Sequence, residues 1–302
     1  MTDIAQKIIA RDTRAVARAA TWIENRRPEG EALLKELFPH TRRALVLGVT
    51  GAPGAGKSTL CDRFARELRN QGKTVAILAV DPSSPFSGGA LLGDRIRMQQ
   101  HHDDPGVFIR SMATRGWLGG LARATTEITM LLESAGFDVI LVETVGVGQD
   151  EVEIARLADV TMVVLTPGMG DDVQTIKAGI MEIADVFVIN KADLPGAEKL
   201  EREIKASLTL AHRPDGWIPT VVRTIASESQ GIGEALRAAE EYGARDVDSK
   251  RAARIWAGRL REMLRDRLLD RIPAVEFLIR GQEVAARIND PYSVIHEWLK
   301  KY

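Results

Sequence analysis

A glycine-rich segment that ends in a lysine and a serine is the strongest chemical signal in the sequence. Residues 51–58 read GAPGAGKS and fit the phosphate-binding pattern G-x-x-x-x-G-K-[ST]. The backbone N–H groups of such a loop, together with the positive end of the helix that follows, surround the oxygens of a phosphate chain. We therefore predict that Lys57 bridges the β- and γ-phosphates of a nucleoside triphosphate and that Ser58 is a ligand of Mg²⁺.

The residues on either side of this segment agree with the motif. An apolar run at 44–49 precedes it and an amphipathic stretch at 57–70 follows it, as a strand and a helix should. The alternative, a glycine-rich turn without a ligand, does not require this context. The predicted phosphate contacts are Gly51, Ala52, Pro53, Gly54, Ala55, Gly56, Lys57, Ser58 and Thr59.

A second motif, NKAD at 190–193, indicates which base the nucleotide carries. It follows the apolar run VFVIN, so it emerges where a strand ends, and open α/β sheets bind their ligands at that edge. Asp193 can accept two hydrogen bonds from guanine, whereas adenine would leave the carboxylate without partners. Because N-K-x-D alone also occurs as an ordinary strand end, it predicts GTP rather than ATP only together with the phosphate-binding segment.

The segment TIASES at 224–229 completes the prediction for the base. It also follows an apolar run, and the backbone N–H groups of Ala226 and Ser227 can donate to guanine O6. The predicted base contacts are Asn190, Lys191, Asp193, Ala226, Ser227 and Glu228.

Acidic residues at two predicted strand ends form a candidate magnesium site. Asp81 ends the run TVAILAV and Glu143 ends FDVILVE, so both carboxylates would project toward the phosphates from the carboxyl edge of a sheet. Asp94, in a segment rich in Pro, Ser and Gly, is a further candidate for binding metal or orienting water. The alternatives are a helix-capping or surface role for Glu143 and plain exposure for Asp94. The predicted catalytic residues are Lys57, Asp81, Asp94 and Glu143, and the predicted metal ligands are Ser58, Asp81, Asp94 and Glu143.

Two further segments resemble loops that respond to a nucleotide. ETVGVGQD at 143–150 is similar to a D-x-x-G switch element with Glu in place of Asp, so we predict that Gly146 donates its N–H to the γ-phosphate. The segment 167–179 reads equally well as a loop that transmits nucleotide state and as an ordinary loop that begins a helix. The adjacent His101 and His102 lack nearby metal-ligand partners and are predicted to lie on the surface.

The arrangement of apolar runs predicts the elements that hold these motifs. Six short runs are mainly apolar without alternation, which indicates strands buried on both faces, and longer amphipathic stretches separate them. We predict a doubly wound α/β fold with a mainly parallel sheet, typical of a P-loop GTPase domain, with helical extensions at both ends. The predicted strands are at 44–49, 74–80, 137–143, 160–165, 186–190 and 220–224, and the predicted domains are 1–42, 43–245 and 246–302.

Composition limits the classes of partner and compartment. The 302 residues include 41 basic and 42 acidic ones, so no global field attracts nucleic acid or an anionic membrane. The one cysteine, Cys61, cannot form an intrachain disulfide, and no apolar run is long enough to span a bilayer. We therefore expect a cytoplasmic protein without membrane or nucleic-acid partners. The basic, helical segment 250–271 is interpreted as an oligomerisation arm in preference to a nucleic-acid patch.

Taken together, the motifs resemble those of the methylmalonyl-CoA mutase-associated GTPases of the MeaB/ArgK type. The likeness spans nearly the whole chain, and it includes strings outside the nucleotide motifs. These strings are GAPGAGKST, VDPSSPFSGGALLGDRIRM, RGWLGGLA, VETVGVGQ and NKAD. In place of the usual S-A of the fifth GTPase motif, the chain has Ala226 and Ser227.

The resemblance implies a function and partners that the residues alone do not indicate. It implies a slow GTPase that uses Mg²⁺ and converts GTP to GDP, forms a homodimer and binds adenosylcobalamin-dependent methylmalonyl-CoA mutase. The implied task is to gate cofactor delivery and to protect or reactivate the mutase. It also implies that Asp81, Asp94 and Glu143 are the Mg²⁺ and switch acids and that Asp193 reads guanine.

Two other functions share the nucleotide motifs. A nickel-insertion GTPase would need Cys or His ligands, of which the chain has Cys61 and five scattered histidines. A kinase that acts on periplasmic transport proteins would need a kinase-type catalytic loop, and the sequence contains none.

Overall fold

Seven parallel strands form the sheet in the part of the chain that the structure describes. The structure is a computed structural model that describes residues 1–81, 101, 104–113, 120–144, 150–168, 180–210, 213, 215–245 and 249–301. The strands are β1 (Leu45–Gly51), β2 (Val75–Asp81), β3 (Val107–Ala113), β4 (Val139–Thr144), β5 (Val160–Leu165), β6 (Val186–Ile189) and β7 (Thr220–Arg223). Their order is β3-β2-β4-β1-β5-β6-β7, so β1 lies in the middle of the sheet.

Helices connect and flank these strands. They are α1 (Asp3–Ile9), α2 (Thr13–Glu24), α3 (Pro28–Leu37), α4 (Lys57–Asn70), α5 (Gly120–Ser134), α6 (Asp150–Leu157), α7 (Ile180–Ile183), α8 (Ala197–Leu210), α9 (Ile232–Arg245), α10 (Ser249–Arg271), α11 (Ala274–Ala285) and α12 (Pro291–Lys301). Short 3-10 turns lie at Phe38–His40 and Ala226–Glu228. None of the described helices is long and apolar enough to cross a membrane.

Both faces of the sheet are covered because the strands are apolar on both sides. On one face, Phe64 of α4 and Leu236 of α9 lie in a core with alternate residues of the strands, such as Val164. On the other face, α8 packs on Leu165 and Phe187. The predicted doubly wound α/β fold is confirmed, and the sheet is parallel at each pairing.

Aspartates at the starts of three strands help to set the register. Asp138 accepts a hydrogen bond from the backbone N–H of Thr74 at 2.7 Å, just before β2. In the same way, Asp159 bonds the N–H of Val46 at 3.0 Å, and Asp185 bonds that of Thr161 at 2.8 Å. Each aspartate precedes one strand and bonds the neighbouring one. The amino ends are thus aligned, and the carboxyl ends that carry the motifs are aligned with them.

The N-terminal helices form a further layer outside α5. Helices α2 and α3 pack on α5, and Arg110 of β3 bonds both carboxylate oxygens of Glu24 in α2, at 2.7 and 2.6 Å. Helix α3 begins at Pro28. Proline is favoured at this first helical position because its missing N–H would have no partner there.

The chain divides into two compact units, Met1–Arg251 and Ala252–Tyr302. The first contains the N-terminal helices and the sheet. Within the second, α11 and α12 are joined by an edge contact between Phe277 and Trp298, with ring centroids 4.8 Å apart. Arg280 adds ion pairs with Glu283 and Glu297. The predicted three-domain division at residues 42 and 245 stays a prediction.

Candidate nucleotide-binding site

Two glycines of segment 51–58, the P-loop, have no room for a side chain. Gly51 has a φ of +136°, and a Cβ there would lie 2.1 Å from the carbonyl oxygen of Val164 in β5. Gly56 has a φ of +89°, and a Cβ there would lie 2.4 Å from Nδ2 of Asn190. Glycine adopts such φ values without the steric cost of a Cβ, so the fold requires these two motif positions for packing as well as for ligand approach.

The side chain of Lys57 turns back over the P-loop. Its Nζ is buried and donates hydrogen bonds to the carbonyl oxygens of Gly51, at 2.7 Å, and Ala52, at 3.0 Å. Lys57 is also the first residue of α4, where the helix dipole is positive. A lysine cation and a helix N-terminus at one place attract an anion.

The remaining P-loop residues differ in exposure. Ala55 is buried and anchors the loop in the core, whereas Pro53, Gly54 and Thr59 are exposed. The predicted phosphate-binding segment is therefore a loop fixed at its base and open to solvent along one side.

Ser58 and Glu143 meet beside the P-loop. Oγ of Ser58 donates a 2.5 Å hydrogen bond to Oε1 of Glu143, and the glutamate is buried. The register places Glu143 opposite Val49 of β1 and Ala79 of β2, at the carboxyl edge of the sheet. A hydroxyl and a carboxylate at this position are the oxygen donors that Mg²⁺ prefers, so this pair fits a magnesium site.

The structure describes the other predicted acidic and switch residues only in part. The backbone of Asp81 ends β2 beside β4, at the same edge of the sheet as Glu143. Asp94, Gly146 and most of the segment 167–179 lie outside the described residues.

Asn190 connects three parts of the site. Its Nδ2 donates to the carbonyl oxygen of Ala55 in the P-loop at 2.9 Å. Its Oδ1 accepts hydrogen bonds from Oγ1 of Thr224 and from the N–H of Ala226, both at 3.1 Å. A buried amide that bonds both loops holds the NKAD motif and the 224–229 loop at a fixed distance from the P-loop.

Lys191 makes a second connection to the P-loop. Its Nζ donates to the carbonyl oxygen of Gly54 at 3.0 Å, and its backbone has a φ of +54°. Asp193, Ser227 and Glu228 are exposed and follow the carboxyl ends of β6 and β7. The structure therefore brings the predicted phosphate and base residues to one continuous site.

The prediction that His101 lies on the surface is wrong. His101 is buried, and its Nε2 lies 2.9 Å from Oδ1 of Asp62 in α4. Burial and the hydrogen bond to His101 change the pKa of Asp62 in opposite directions, and the hydrogen bond prevails and lowers it. The sequence carries no signal for this pair because the two residues meet only when α4 packs beside the start of β3.

Sequence reasoning also missed Arg63. Its Nε donates to the carbonyl oxygen of Ala226 at 3.1 Å, so α4 contacts the 224–229 loop directly. Another unpredicted pair joins the ends of two strands: Oγ1 of Thr144 donates to Oγ1 of Thr50 at 3.0 Å. A threonine at the end of each of two apolar runs is the sequence signal that could have indicated this pair.

A parallel sheet with a P-loop after its central strand and NKAD after β6 defines the class of protein: a P-loop GTPase. Comparison with known proteins narrows the class. The family model described as Methylmalonyl Co-A mutase-associated GTPase MeaB matches residues 16–276. The chain therefore belongs to the MeaB family of GTPases, as the sequence motifs predicted.

Individual relatives agree with this assignment. Over 309 residues, this chain is 47% identical to a Pyrococcus abyssi protein that is named as a GTPase. The alignment covers 96% of this chain and 93% of that protein. The GTPase ArgK of Escherichia coli is 42% identical over 235 residues, covering 75% and 71%. The crystal structure of an LAO/AO transport system kinase matches with a TM-score of 0.72 and 29% identity, covering 99% of this chain and 98% of that one.

Proposed function

We propose that this GTPase is a chaperone of adenosylcobalamin-dependent methylmalonyl-CoA mutase, which gates cofactor delivery and protects or reactivates the mutase. The observation that carries the proposal is the family match over residues 16–276, whose description names the mutase as the associated enzyme. The physical basis is a nucleotide site in which Asn190 links the P-loop to the 224–229 loop. Through this link, a ligand bound at either loop affects the other loop.

At the phosphate end, we assign binding and charge neutralisation to the residues around the P-loop. Lys57 and the P-loop N–H groups hold the β- and γ-phosphates. Ser58, Asp81, Asp94 and Glu143 hold Mg²⁺ or its water ligands, and the 2.5 Å contact between Ser58 and Glu143 supports this assignment. When bound by these residues, the ion would supply positive charge beside the phosphates. Gly146 donates its N–H to the γ-phosphate and loses that contact once the phosphate leaves.

At the base end, Asp193 accepts the hydrogen bonds of guanine N1–H and the exocyclic amine. Its exposed carboxylate makes no hydrogen bond to the part of the chain that the structure describes, which leaves both oxygens for a ligand. Lys191 bonds Gly54 and holds the two loops in place beneath the base. Asn190, Ala226, Ser227 and Glu228 complete this end of the site.

We assign the second unit, Ala252–Tyr302, to homodimer formation. Leu260, Leu264 and Leu268 form a stripe along α10 at four-residue intervals, and the side chain of Leu264 is 61% exposed. Further apolar side chains are exposed on α11 and α12: Val275, Leu278, Ile279, Tyr292, Ile295 and Leu299. So many exposed apolar side chains on three helices indicate a surface that is covered by a partner. A second copy of the same helices supplies a matching apolar surface.

A binding experiment tests the partner directly. The purified chain and the methylmalonyl-CoA mutase of the same organism are mixed without nucleotide, with GDP and with a non-hydrolysable GTP analogue, and complexes are separated by size-exclusion chromatography. We expect a complex whose stability differs between the nucleotide states, and a Lys57→Ala variant whose complex responds less to the GTP analogue. Absence of a complex in every state contradicts the proposal.

The name of the LAO/AO transport system kinase suggests a different reaction for that relative, and one assay separates the two. With γ-labelled GTP, we expect the label to appear as inorganic phosphate. Label that is transferred to a protein contradicts the hydrolase assignment.

A further inference from the structure

The 224–229 loop is held from two sides at a single residue. The N–H of Ala226 donates to Oδ1 of Asn190, and the carbonyl oxygen of Ala226 accepts from Nε of Arg63, each at 3.1 Å. Asn190 belongs to the end of β6, whereas Arg63 belongs to α4, the helix that begins with the P-loop lysine. Two elements of the nucleotide site thus fix the two faces of one backbone segment.

The base of the loop does not depend on these side chains. Ile225 and Gln230 pair through reciprocal backbone hydrogen bonds of 3.1 and 3.2 Å. Gly231 follows with a φ of +74°, and a Cβ there would lie 2.1 Å from the carbonyl oxygen of Arg223. The backbone also bonds within the tip, where the N–H of Glu228 donates to the carbonyl oxygen of Ile225 at 3.0 Å and the N–H of Ser229 donates to that of Ala226 at 3.3 Å. Arg63 therefore adds a second, charged donor to the carbonyl oxygen of Ala226.

Peptide geometry transmits the contact of Arg63 to the next residue. The carbonyl of Ala226 and the N–H of Ser227 belong to one planar trans peptide group, in which C=O and N–H point in opposite directions. When Arg63 fixes the carbonyl on the α4 side, it also fixes the direction of the Ser227 N–H. A cation at the carbonyl oxygen further polarises the peptide and makes its N–H a stronger donor.

Ser227 is placed to use this N–H on a ligand. Ser227 is exposed, and within the described parts of the chain its N–H makes no hydrogen bond. The N–H of Ala226, by contrast, is already bonded to Asn190. Of the two N–H groups predicted to reach guanine O6, the one at Ser227 is therefore open to the ligand.

We propose that Arg63 is a positioning residue for guanine recognition, which orients the Ser227 N–H toward O6 of the base through the carbonyl of Ala226. The inference rests on the proposed guanine site. Arg63 bonds the 224–229 loop, so we expect it to act on the choice of base and to leave the hydrolytic step unchanged.

Nucleotides that differ only at position 6 of the purine test this role. 6-Thio-GDP keeps N1–H and the exocyclic amine that Asp193 binds, but it replaces O6 by sulfur, a weak acceptor. Dissociation constants for GDP and 6-thio-GDP are measured with the wild-type chain and with Arg63→Ala, Arg63→Gln and, as a matched arginine removal on α4, Arg66→Ala. The dissociation constant for ADP is measured with the wild-type chain. Turnover at saturating GTP is measured for each variant.

We expect Arg63→Ala to weaken GDP binding about tenfold, as for loss of one charge-assisted hydrogen bond, with little effect on 6-thio-GDP and on turnover. Arg63→Gln, which keeps an N–H donor, should restore part of the preference for GDP, and Arg66→Ala should retain it fully. An unchanged preference in Arg63→Ala, or an equal loss for both nucleotides, overturns the role of Arg63. If the wild-type chain itself fails to prefer GDP over ADP, the proposed guanine site is at fault instead.

Discussion

Oγ of Ser58 donates a 2.5 Å hydrogen bond to Oε1 of Glu143, which joins the first turn of α4 to the carboxyl end of β4. The two residues lie 85 positions apart in the sequence. They meet because β4 pairs with β1, the strand that leads into the P-loop. The pair brings together the two oxygen donors to which we assign Mg²⁺.

Replacing the carboxylate of this pair should impair metal use more than nucleotide binding. For Glu143→Gln, we expect the Mg²⁺ concentration needed for half-maximal GTP hydrolysis to rise roughly 10- to 100-fold, as for loss of a group that supports a metal. GDP binding without Mg²⁺ should change little, because the amide still accepts the hydrogen bond of Ser58. A Mg²⁺ dependence equal to that of the wild-type chain contradicts the assignment of Glu143.

Asp193 should determine the base. In Asp193→Asn, the amide presents an N–H donor where guanine also presents donors, whereas xanthine offers a carbonyl oxygen at that position. We expect GDP affinity to fall by about 100-fold or more and XDP affinity to rise, because a site built for one hydrogen-bonding pattern rejects the other. Competition with a fluorescent nucleotide measures both. If the variant still prefers GDP, NKAD does not read the base.

The sequence predicts where these nucleotide motifs lie in the fold, and their roles in binding stay predictions. Each of them is a contiguous string at the end of one strand, so local pattern and strand position suffice to place Lys57, Asn190 and Asp193. Contacts between distant segments carry no such pattern. The bonds of Asp62 to His101 and of Arg63 to Ala226 depend on how α4 packs, and they appear only in the folded chain.

The strands of the sheet divide in the same way, into those that the local sequence predicts and one that it does not. Five of the six predicted strands lie inside the sheet, where strands are apolar on both faces, and the sixth, β7, is an edge strand with the apolar pair Val221 and Val222. β3, at the other edge, was missed because Arg110 and Ser111 are only partly buried and interrupt its apolar run. Arg110 is there to bond Glu24 of the N-terminal layer, a partner that local sequence does not reveal.

A network around Arg213 should make stability depend on pH. Burial raises the pKa of Asp215, but hydrogen bonds from Arg213 and the backbone N–H of Trp217 outweigh it and lower the pKa from 3.8 to about 2. A carboxyl whose pKa is lower in the folded state stabilises the fold above its unfolded pKa, and this stabilisation is lost as the pH falls toward the folded value.

Asp215→Asn removes this contribution. We expect the free energy of unfolding at pH 7 to fall by about 1 kcal/mol, since solvent screens a side chain that is 40% exposed. The difference between wild-type and variant chains should shrink to about half at pH 3. Urea unfolding at both pH values measures it, with Asp193→Asn as the control that leaves stability unchanged. A difference independent of pH contradicts the account.

The apolar stripe on α10 should control the oligomeric state. Leu264→Glu places a charge in the middle of this stripe, and burying an unpaired carboxylate in a dimer interface is strongly unfavourable. We expect the wild-type chain to sediment as a dimer and the variant as a monomer in analytical ultracentrifugation. Arg261→Glu, a charge change on the same helix outside the stripe, should remain dimeric. A wild-type monomer, or a dimer in Leu264→Glu, contradicts the assignment.

The decay of mutase activity during prolonged turnover tests most directly whether GTP hydrolysis by this chain protects the mutase. Methylmalonyl-CoA mutase with adenosylcobalamin is followed alone, with the wild-type chain and GTP, and with Lys57→Ala and GTP. The proposed function predicts that the wild-type chain prolongs mutase activity and that Lys57→Ala, which should lose hydrolysis, does not. Equal decay in all three mixtures, while the wild-type chain hydrolyses GTP, would contradict it.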